Sequence, residues 1–220
     1  KIFKHASPAF EEDPLRVLRF ARFKSYKQLN DFDLHEETKV LFDKIVASTE
    51  LKDLSPERVW METKKALENN FSDKFFKTLI KYHLTDPWFK NLKSVSCNGD
   101  LPELKWADMQ RINCFQLSAS LPIPNSYIKV IDSLKLVINF IESSNKSEKL
   151  RLLEKMNVRR NYEILMHCKQ YESLNEHQDY LEKIFKSVMA IDFSVLANLS
   201  ESEVSNQKQL LYYEALHEII

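Results

Sequence analysis

The stretch Ser7-Pro8-Ala9-Phe10-Glu11-Glu12-Asp13-Pro14-Leu15-Arg16-Val17-Leu18-Arg19-Phe20-Ala21-Arg22-Phe23 decides how the rest of the chain is read. Asp13 before Pro14 is the signature of a helix N-cap and first helical residue. Proline lacks an N–H that would be unsatisfied there anyway, and the Asp carboxylate accepts orphan backbone donors. The spacing therefore predicts a helix from Asp13. Arg16, Arg19 and Arg22 recur every three residues, a stripe that drifts slowly about the axis, while Leu15, Val17, Leu18, Phe20, Ala21 and Phe23 cover much of the remainder. A helix that apolar should be buried. Its three guanidiniums, with Glu12 and Asp13 at its head, then face either a buried ion network or a polar cleft.

Composition bounds the fold class. One glycine, Gly99, in 220 residues argues against many tight turns, a Rossmann loop or a P-loop, so an all-α fold of roughly ten helices is expected. With 44% hydrophobic and 29% charged residues the chain is an ordinary globular sequence, long enough for one good core or two small domains. No apolar run approaches the ~20 residues that span a bilayer, and no signal-peptide pattern opens the chain, so no membrane partner and a cytoplasmic location are expected. Cys97, Cys114 and Cys168 lack C-x-x-C spacing, which points to reduced, mostly buried thiols and no metal site.

Outward from the first helix, Ser25 to Asp33 reads as a polar loop. An amphipathic helix follows from about Leu34 to Ala47, with Val40, Leu41, Ile45 and Val46 as its apolar side. Ser55 caps a helix with Pro56 first and Glu57 in its opening turn, its core face carrying Val59, Trp60, Thr63, Ala66 and Leu67. Phe71 to His83 forms another helix, burying Phe75, Phe76, Leu79 and Ile80, with Ser72 as a possible cap, and Asp86-Pro87-Trp88-Phe89 ends it. Residues 93–102 hold the only glycine and form the candidate linker. Helices then run from about Glu103 to Leu117, Asn125 to Glu142, Ser147 to Met156, Arg159 to Gln170, Glu176 to Met189 and Glu203 to Ile220.

The order Ser7-Pro8-Ala9-Phe10, Glu12-Asp13-Pro14-Leu15-Arg16-Val17-Leu18-Arg19 and Ala21-Arg22-Phe23 closely resembles the nucleotide-selecting motif of class II bacterial CCA-adding enzymes, the tRNA nucleotidyltransferases. Ser55-Pro56-Glu57-Arg58-Val59-Trp60 through Glu62 resembles that family's next motif, and weaker similarity continues through Lys105-Trp106-Ala107 and Leu121-Pro122-Ile123-Pro124. The resemblance implies a neck helical domain at 1–92 that selects the base, a linker at 93–102, and body and tail helices at 103–220 that dock tRNA. It assigns Asp13 and Arg16 to the base and Arg19 to the CTP and ATP pocket, with Glu12, Arg22, Arg58 and Glu62 in support. The residue types suit the task. A carboxylate accepts from the exocyclic amine that C and A share, and a guanidinium donates to ring nitrogens and carbonyls.

The resemblance also implies a catalytic head that binds Mg2+ through a pair of aspartates beside a Gly-Ser element. Asp31-Phe32-Asp33 has no such Gly-Ser upstream and reads as a loop or cap. The head is expected N-terminal to Lys1, outside this chain, which lacks an initiator Met and should be inactive alone. No His-Asp dipeptide occurs, so no HD phosphohydrolase domain is expected. A bacterial poly(A) polymerase, which shares the Glu-Asp-Pro-x-Arg core, and a non-enzymatic helical RNA-binding or interaction module are the alternatives.

Net charge is zero but uneven: residues 1–27 carry seven Lys and Arg against three Asp and Glu, and residues 146–160 carry six against two. Lys146, Lys149, Arg151, Lys155, Arg159 and Arg160 are the candidate tRNA contacts, with a solvated helix face as the commoner meaning of such a run. In the tail, the relatives' Gly-x-x-Gly and arginines give way to Ala197-Asn198-Leu199-Ser200-Glu201, where Asn198 can still turn left-handed.

Overall fold

A computed structural model describes residues 1–6, 10, 12–48, 50–117, 120–197 and 199–220 and shows the expected all-α architecture. Ser7, Pro8 and Ala9 of the first motif and Asn198 of the tail turn lie outside the described residues. The α-helices are α1 (Leu15–Phe23), α2 (Glu36–Ser48), α3 (Pro56–Leu67), α4 (Ser72–Lys81), α5 (Pro102–Ile112), α6 (Asn125–Glu142), α7 (Lys146–Met156), α8 (Val158–Cys168), α9 (Gln178–Ala190) and α10 (Glu201–Leu216). Two short strands, β1 (Ile2–Phe3) and β2 (Asp33–Leu34), pair in parallel, Ile2 opposite Asp33 and Phe3 opposite Leu34. The chain divides into two compact units, Lys1–Ile128 and Lys129–Ile220.

In the first unit α1 packs against both α3 and α4. Leu15, Val17, Leu18, Phe20 and Ala21 are buried, as the apolar pattern requires. Asp13 Oδ1 accepts from the Leu15 N–H at 3.1 Å, so it caps this helix. At α3 the Ser55 hydroxyl accepts from the Arg58 N–H at 3.4 Å and Pro56 opens the helix. The core is rich in edge-on ring contacts: Phe20 meets Phe42 at 5.4 Å and 83°, and Trp60 meets Trp106 at 5.5 Å and 72°.

Three local expectations are corrected. On α2 the inward face is Thr38, Phe42 and Ile45, whereas Val40 is 54% exposed. Phe42 fills the space against Phe20, and its larger ring outweighs the Val40 and Leu41 pair in setting the helix's rotation. On α4 Ile80 is exposed and Ser72 is a buried first-turn residue, not a cap. Helix α5 stops at Ile112 because Cys114 and Phe115 adopt φ 56° and 57°, and the Gln110 side chain bonds both the N–H and the carbonyl of Leu117.

Residues 93–102, expected to link two domains, are instead tied down on α5. Asn113 Oδ1 accepts from the backbone N–H of Lys93 at 2.9 Å and of Ser94 at 3.1 Å. The fully buried Asp108 accepts from Ser96 and from the Asn98 N–H. Gly99 has φ 117°, and a Cβ there would lie 2.6 Å from the Leu104 Cβ, which accounts for the chain's single glycine. The first unit accordingly continues to Ile128. Within the Asp31-Phe32-Asp33 run, Asp33 belongs to β2 and pairs with Lys81 at 3.2 Å.

The second unit is built on Leu134, Val137 and Phe140 of α6, Leu152, Leu153 and Met156 of α7, Leu165 and Cys168 of α8, and Leu181, Ile184, Phe185 and Val188 of α9. Asn145 caps α7 through the Glu148 N–H. Asn157, at φ 46° and ψ 60°, turns the chain directly into α8, one of the few residue types that tolerates this conformation. The buried Lys169 and the exposed Lys186 both hold Glu182, whose hydrogen bonds to them, Lys169 first, pull its carboxyl down to about 2. All three cysteines are free thiols. Cys168 is buried and Cys97 half-buried, each pushed up to about 12 by burial, while Cys114 is exposed, contrary to the expectation of mostly buried thiols.

Arg22 Nε lies 2.6 Å from Glu62 Oε2 across the α1–α3 contact, with the two side chains 11% and 7% exposed. Removing one partner strands a buried charge, so Arg22→Met or Glu62→Leu alone should cost about 3–5 kcal/mol in urea denaturation, and the double variant should recover most of it. Glu182 gives a second check. Its folded pKa lies below the ordinary 4.5, so its contribution is complete above pH 4.5 and lost as pH falls through about 2. A carbon-detected NMR titration should place the Glu182 midpoint near 2, and Lys169→Met should raise it.

Candidate functional site

Successive residues of an α-helix are turned by about 100°, so a three-residue repeat drifts by about 60° per step. Along α1 that drift sends the three arginines to different places. Arg22 is buried against Glu62, donates to the Tyr26 hydroxyl at 2.8 Å and lies 4.8 Å from the Phe23 ring. Arg19, turned about 60° from Arg22, and Arg16, turned about 120°, together line a cavity of about 300 Å³. Of the two alternatives, a buried ion network or a polar cleft, Arg22 takes the first as an ion pair with Glu62, whereas Arg16 and Arg19 line a cavity whose wall is mostly apolar.

The cavity wall is aromatic, with Phe3, Phe10, Phe20, Phe23 and Phe42 around the two guanidiniums. Arg16 sits over the Phe10 ring at 5.9 Å. Phe3 is carried there by the β1–β2 pairing and stacks on Phe23 at 6.1 Å and 10°. Arg19 is exposed, and its guanidinium has no hydrogen bond or ion pair among the described residues. His5 also lines the cavity. Thr38 Oγ1 accepts from its backbone N–H at 3.1 Å and contacts its Nδ1 at 2.9 Å. Little in the sequence announces this wall. Its only signal was the density of phenylalanines before Phe42, since nothing in the spacing placed Phe3 beside Phe23.

Asp13 lies at the head of α1 and does not line the cavity. Arg58 Nη2 approaches both its carboxylate oxygens at 3.0 Å, linking the start of α1 to the start of α3. An ionised carboxylate has about four acceptor positions. On Oδ1 two are taken, by Arg58 and the Leu15 N–H, and on Oδ2 one is taken, by Arg58. One direction on Oδ2 stays open, enough for a single amine hydrogen. Glu12 is exposed. The structure therefore pairs Asp13 with Arg58 and Arg22 with Glu62, and brings Arg16 and Arg19 together elsewhere on the helix.

The basic run of the second unit is largely engaged. Lys149 donates to the Tyr180 hydroxyl at 3.2 Å and lies 5.2 Å from the Phe140 ring. Arg159 stacks on Phe193 at 4.5 Å and donates to the carbonyls of Met189 in the last turn of α9 and Ile191 just after it. Lys146 reaches the His217 carbonyl at 3.3 Å, and Arg151 lies 3.7 Å from Glu148. Lys155 and Arg160 are exposed, and Arg160 borders a cavity of about 430 Å³ with Lys129.

Among the described residues no group of three or more His, Cys, Asp and Glu is placed to hold a metal ion, so the magnesium expected of an intact enzyme finds no cradle in them. No helix is long and apolar enough to cross a membrane.

Comparison with known proteins extends the picture. A family model described as "Probable RNA and SrmB- binding site of polymerase A" matches residues 31–95. A "Multifunctional CCA protein" of Pseudoalteromonas atlantica is 42% identical over 107 residues, 48% of this chain and 26% of that protein. One of Vibrio cholerae is 49% identical over 79 residues, 36% of this chain and 20% of that protein. A "CCA-adding enzyme" of Alteromonas mediterranea is 42% identical over 93 residues, 42% of this chain and 23% of that protein. The chain thus spans about a quarter of the length of the curated relatives it matches. No solved structure matches. In its matched part the chain is similar to CCA-adding enzymes, as the residues of its first helix and of the Ser55 to Glu62 block imply.

Proposed function

We propose that this chain supplies base selection and tRNA docking to an enzyme that adds C, C and A to tRNA 3′ ends from CTP and ATP. One observation carries the reading: Arg16 and Arg19, the motif's two outward guanidiniums, share an aromatic-walled cavity, and Arg19 has no partner among the described residues. Rings of that kind stack on a base, and guanidiniums donate to its ring nitrogens and carbonyls. Asp13 contributes through its open Oδ2 direction, which accepts from the exocyclic amine of C or A. Arg58 is then a positioning residue that holds the carboxylate in one orientation, and Glu62 does the same for the helix through Arg22. In this reading the magnesium-dependent transfer belongs to a catalytic head outside these residues, and the intact enzyme works in the cytoplasm.

Rejection of wrong bases follows from the same geometry. U and G do not present the same edge, since U has no exocyclic amine and G carries its amine at another ring position beside a ring N–H, so binding either would leave Asp13 or a guanidinium desolvated and unpaired. A second reading, poly(A) addition, is supported by the polymerase A description of the family matched at 31–95.

The test is incorporation of each of the four nucleotides into tRNA ending before its CCA, by the intact protein. Arg16→Ala or Asp13→Ala should reduce the preference for CTP and ATP over UTP by about 10- to 100-fold, the worth of one good side-chain to base pairing. Unchanged preference would move selection off α1. A three-nucleotide product supports CCA addition, and an extended A tail supports the second reading.

A further inference from the structure

The tRNA-docking part of the proposed function leaves open where the RNA backbone lies, and the engaged cations of α7 and α8 turn attention to the first unit. On α4 the buried residues are Ser72, Phe75, Phe76, Thr78 and Leu79. Lys74, Lys77 and Lys81 fall on the opposite side, within about 60° of one another at 100° per residue. From Lys74 to Lys81 the helix rises about 10 Å. One strand of a duplex passes about three phosphates in that distance.

Lys24 joins this row from the end of α1, where its ammonium donates to the Phe32 carbonyl. Burial pushes the Lys24 ammonium below its usual range, and the nearby charges of Lys81 and Lys74 push the same way, against the opposing pull of Asp33. The lysines are therefore close enough to repel. Their counter-charges are exposed: Asp73 pairs with Lys77 at 2.7 Å and Asp33 with Lys81 at 3.2 Å, contacts that water screens and that exchange readily. Beyond Lys81 lies a polar cavity of about 510 Å³ of mixed charge, bordered by Lys39 and His83 and by Asp33, Glu36 and Asp43.

We infer that Lys74, Lys77 and Lys81 of α4, with Lys24 beside them, form a docking face for the phosphate backbone of RNA. The face lies within residues matched by a family described in part as an RNA-binding site, but neither that match nor the base-selecting motif designates these lysines. Phosphates along the row replace the surface aspartates as partners of Lys77 and Lys81, and their counterions are released.

The experiment measures binding of fluorescein-labelled tRNA lacking its 3′ CCA to the 220-residue chain by anisotropy, from 50 to 200 mM salt. Replacing all three α4 lysines by Gln should weaken binding at 50 mM salt by about tenfold or more. It should also make the slope of log K against log salt shallower by about two, at ~0.7 per phosphate contact. The triple Lys→Arg variant should keep both. Unchanged affinity and slope in the Gln variant would overturn the proposal and leave the face to a protein partner or to solvent. Equal losses in the Gln and Arg variants would overturn it too, as a structural effect. Lys155→Gln with Arg160→Gln should change little, and a large loss there with none on α4 would return the footprint to the second unit. Nucleotide preference by the intact protein is scored separately, so failure of base selection on α1 stays distinguishable from failure of this face.

Discussion

The buried contact between Arg22 and Glu62 sets the rest of the site. Two charges held at 2.6 Å with almost no water around them tolerate little displacement, because either ion left alone in that interface is costly. The pair joins the end of α1 to the middle of α3, and Asp13 with Arg58 joins their beginnings. A helix fastened at two points along its length cannot roll. With Arg22 held on α3, Arg19 and Arg16, one and two drift steps back along the stripe, are turned about 60° and 120° away from it, and both line the cavity.

Seen this way, the arginines differ in role although they share a spacing. Arg22 belongs to the scaffold, and its guanidinium is further enclosed by Phe23 and Tyr26. Arg16 is steadied by Phe10, and Arg19 reaches into the open. Asp13 is a cap, an ion-pair partner and, with one acceptor direction left, a candidate reader of an amine. In the proposed function, supporting and selecting roles therefore run through the same two helices, which would tie the strength of the scaffold to the accuracy of the site.

Charge follows a similar logic in the rest of the molecule. The basic run at 146–160 stands out in the sequence, yet folding turns Lys149 toward Tyr180 and Phe140 and sets Arg159 on the carbonyls at the end of α9. The lysines of α4 are unremarkable in the sequence, where Asp73 lies beside them, and become a row only because the helix buries the side opposite them. Local charge counts measure composition along the chain. What a partner meets is the charge left after burial and pairing.

The sequence by itself determined the all-α class, through the near absence of glycine and the capped periodic segments, and the starts of α1 and α3, through Asp13-Pro14 and Ser55-Pro56. Those are local matters: a cap and a proline act within one turn of the chain. It also picked out the resemblance carried by Asp13 to Phe23. Tertiary structure decided the rest. The choice of Phe42 over Val40 as the inward residue of α2, the fastening of residues 93–98 to Asn113 and Asp108, and the division of three equally spaced arginines between an ion pair and a cavity all depend on partners far away in sequence. A periodicity states which residues share a face of a helix, and only packing against other elements states what that face will meet.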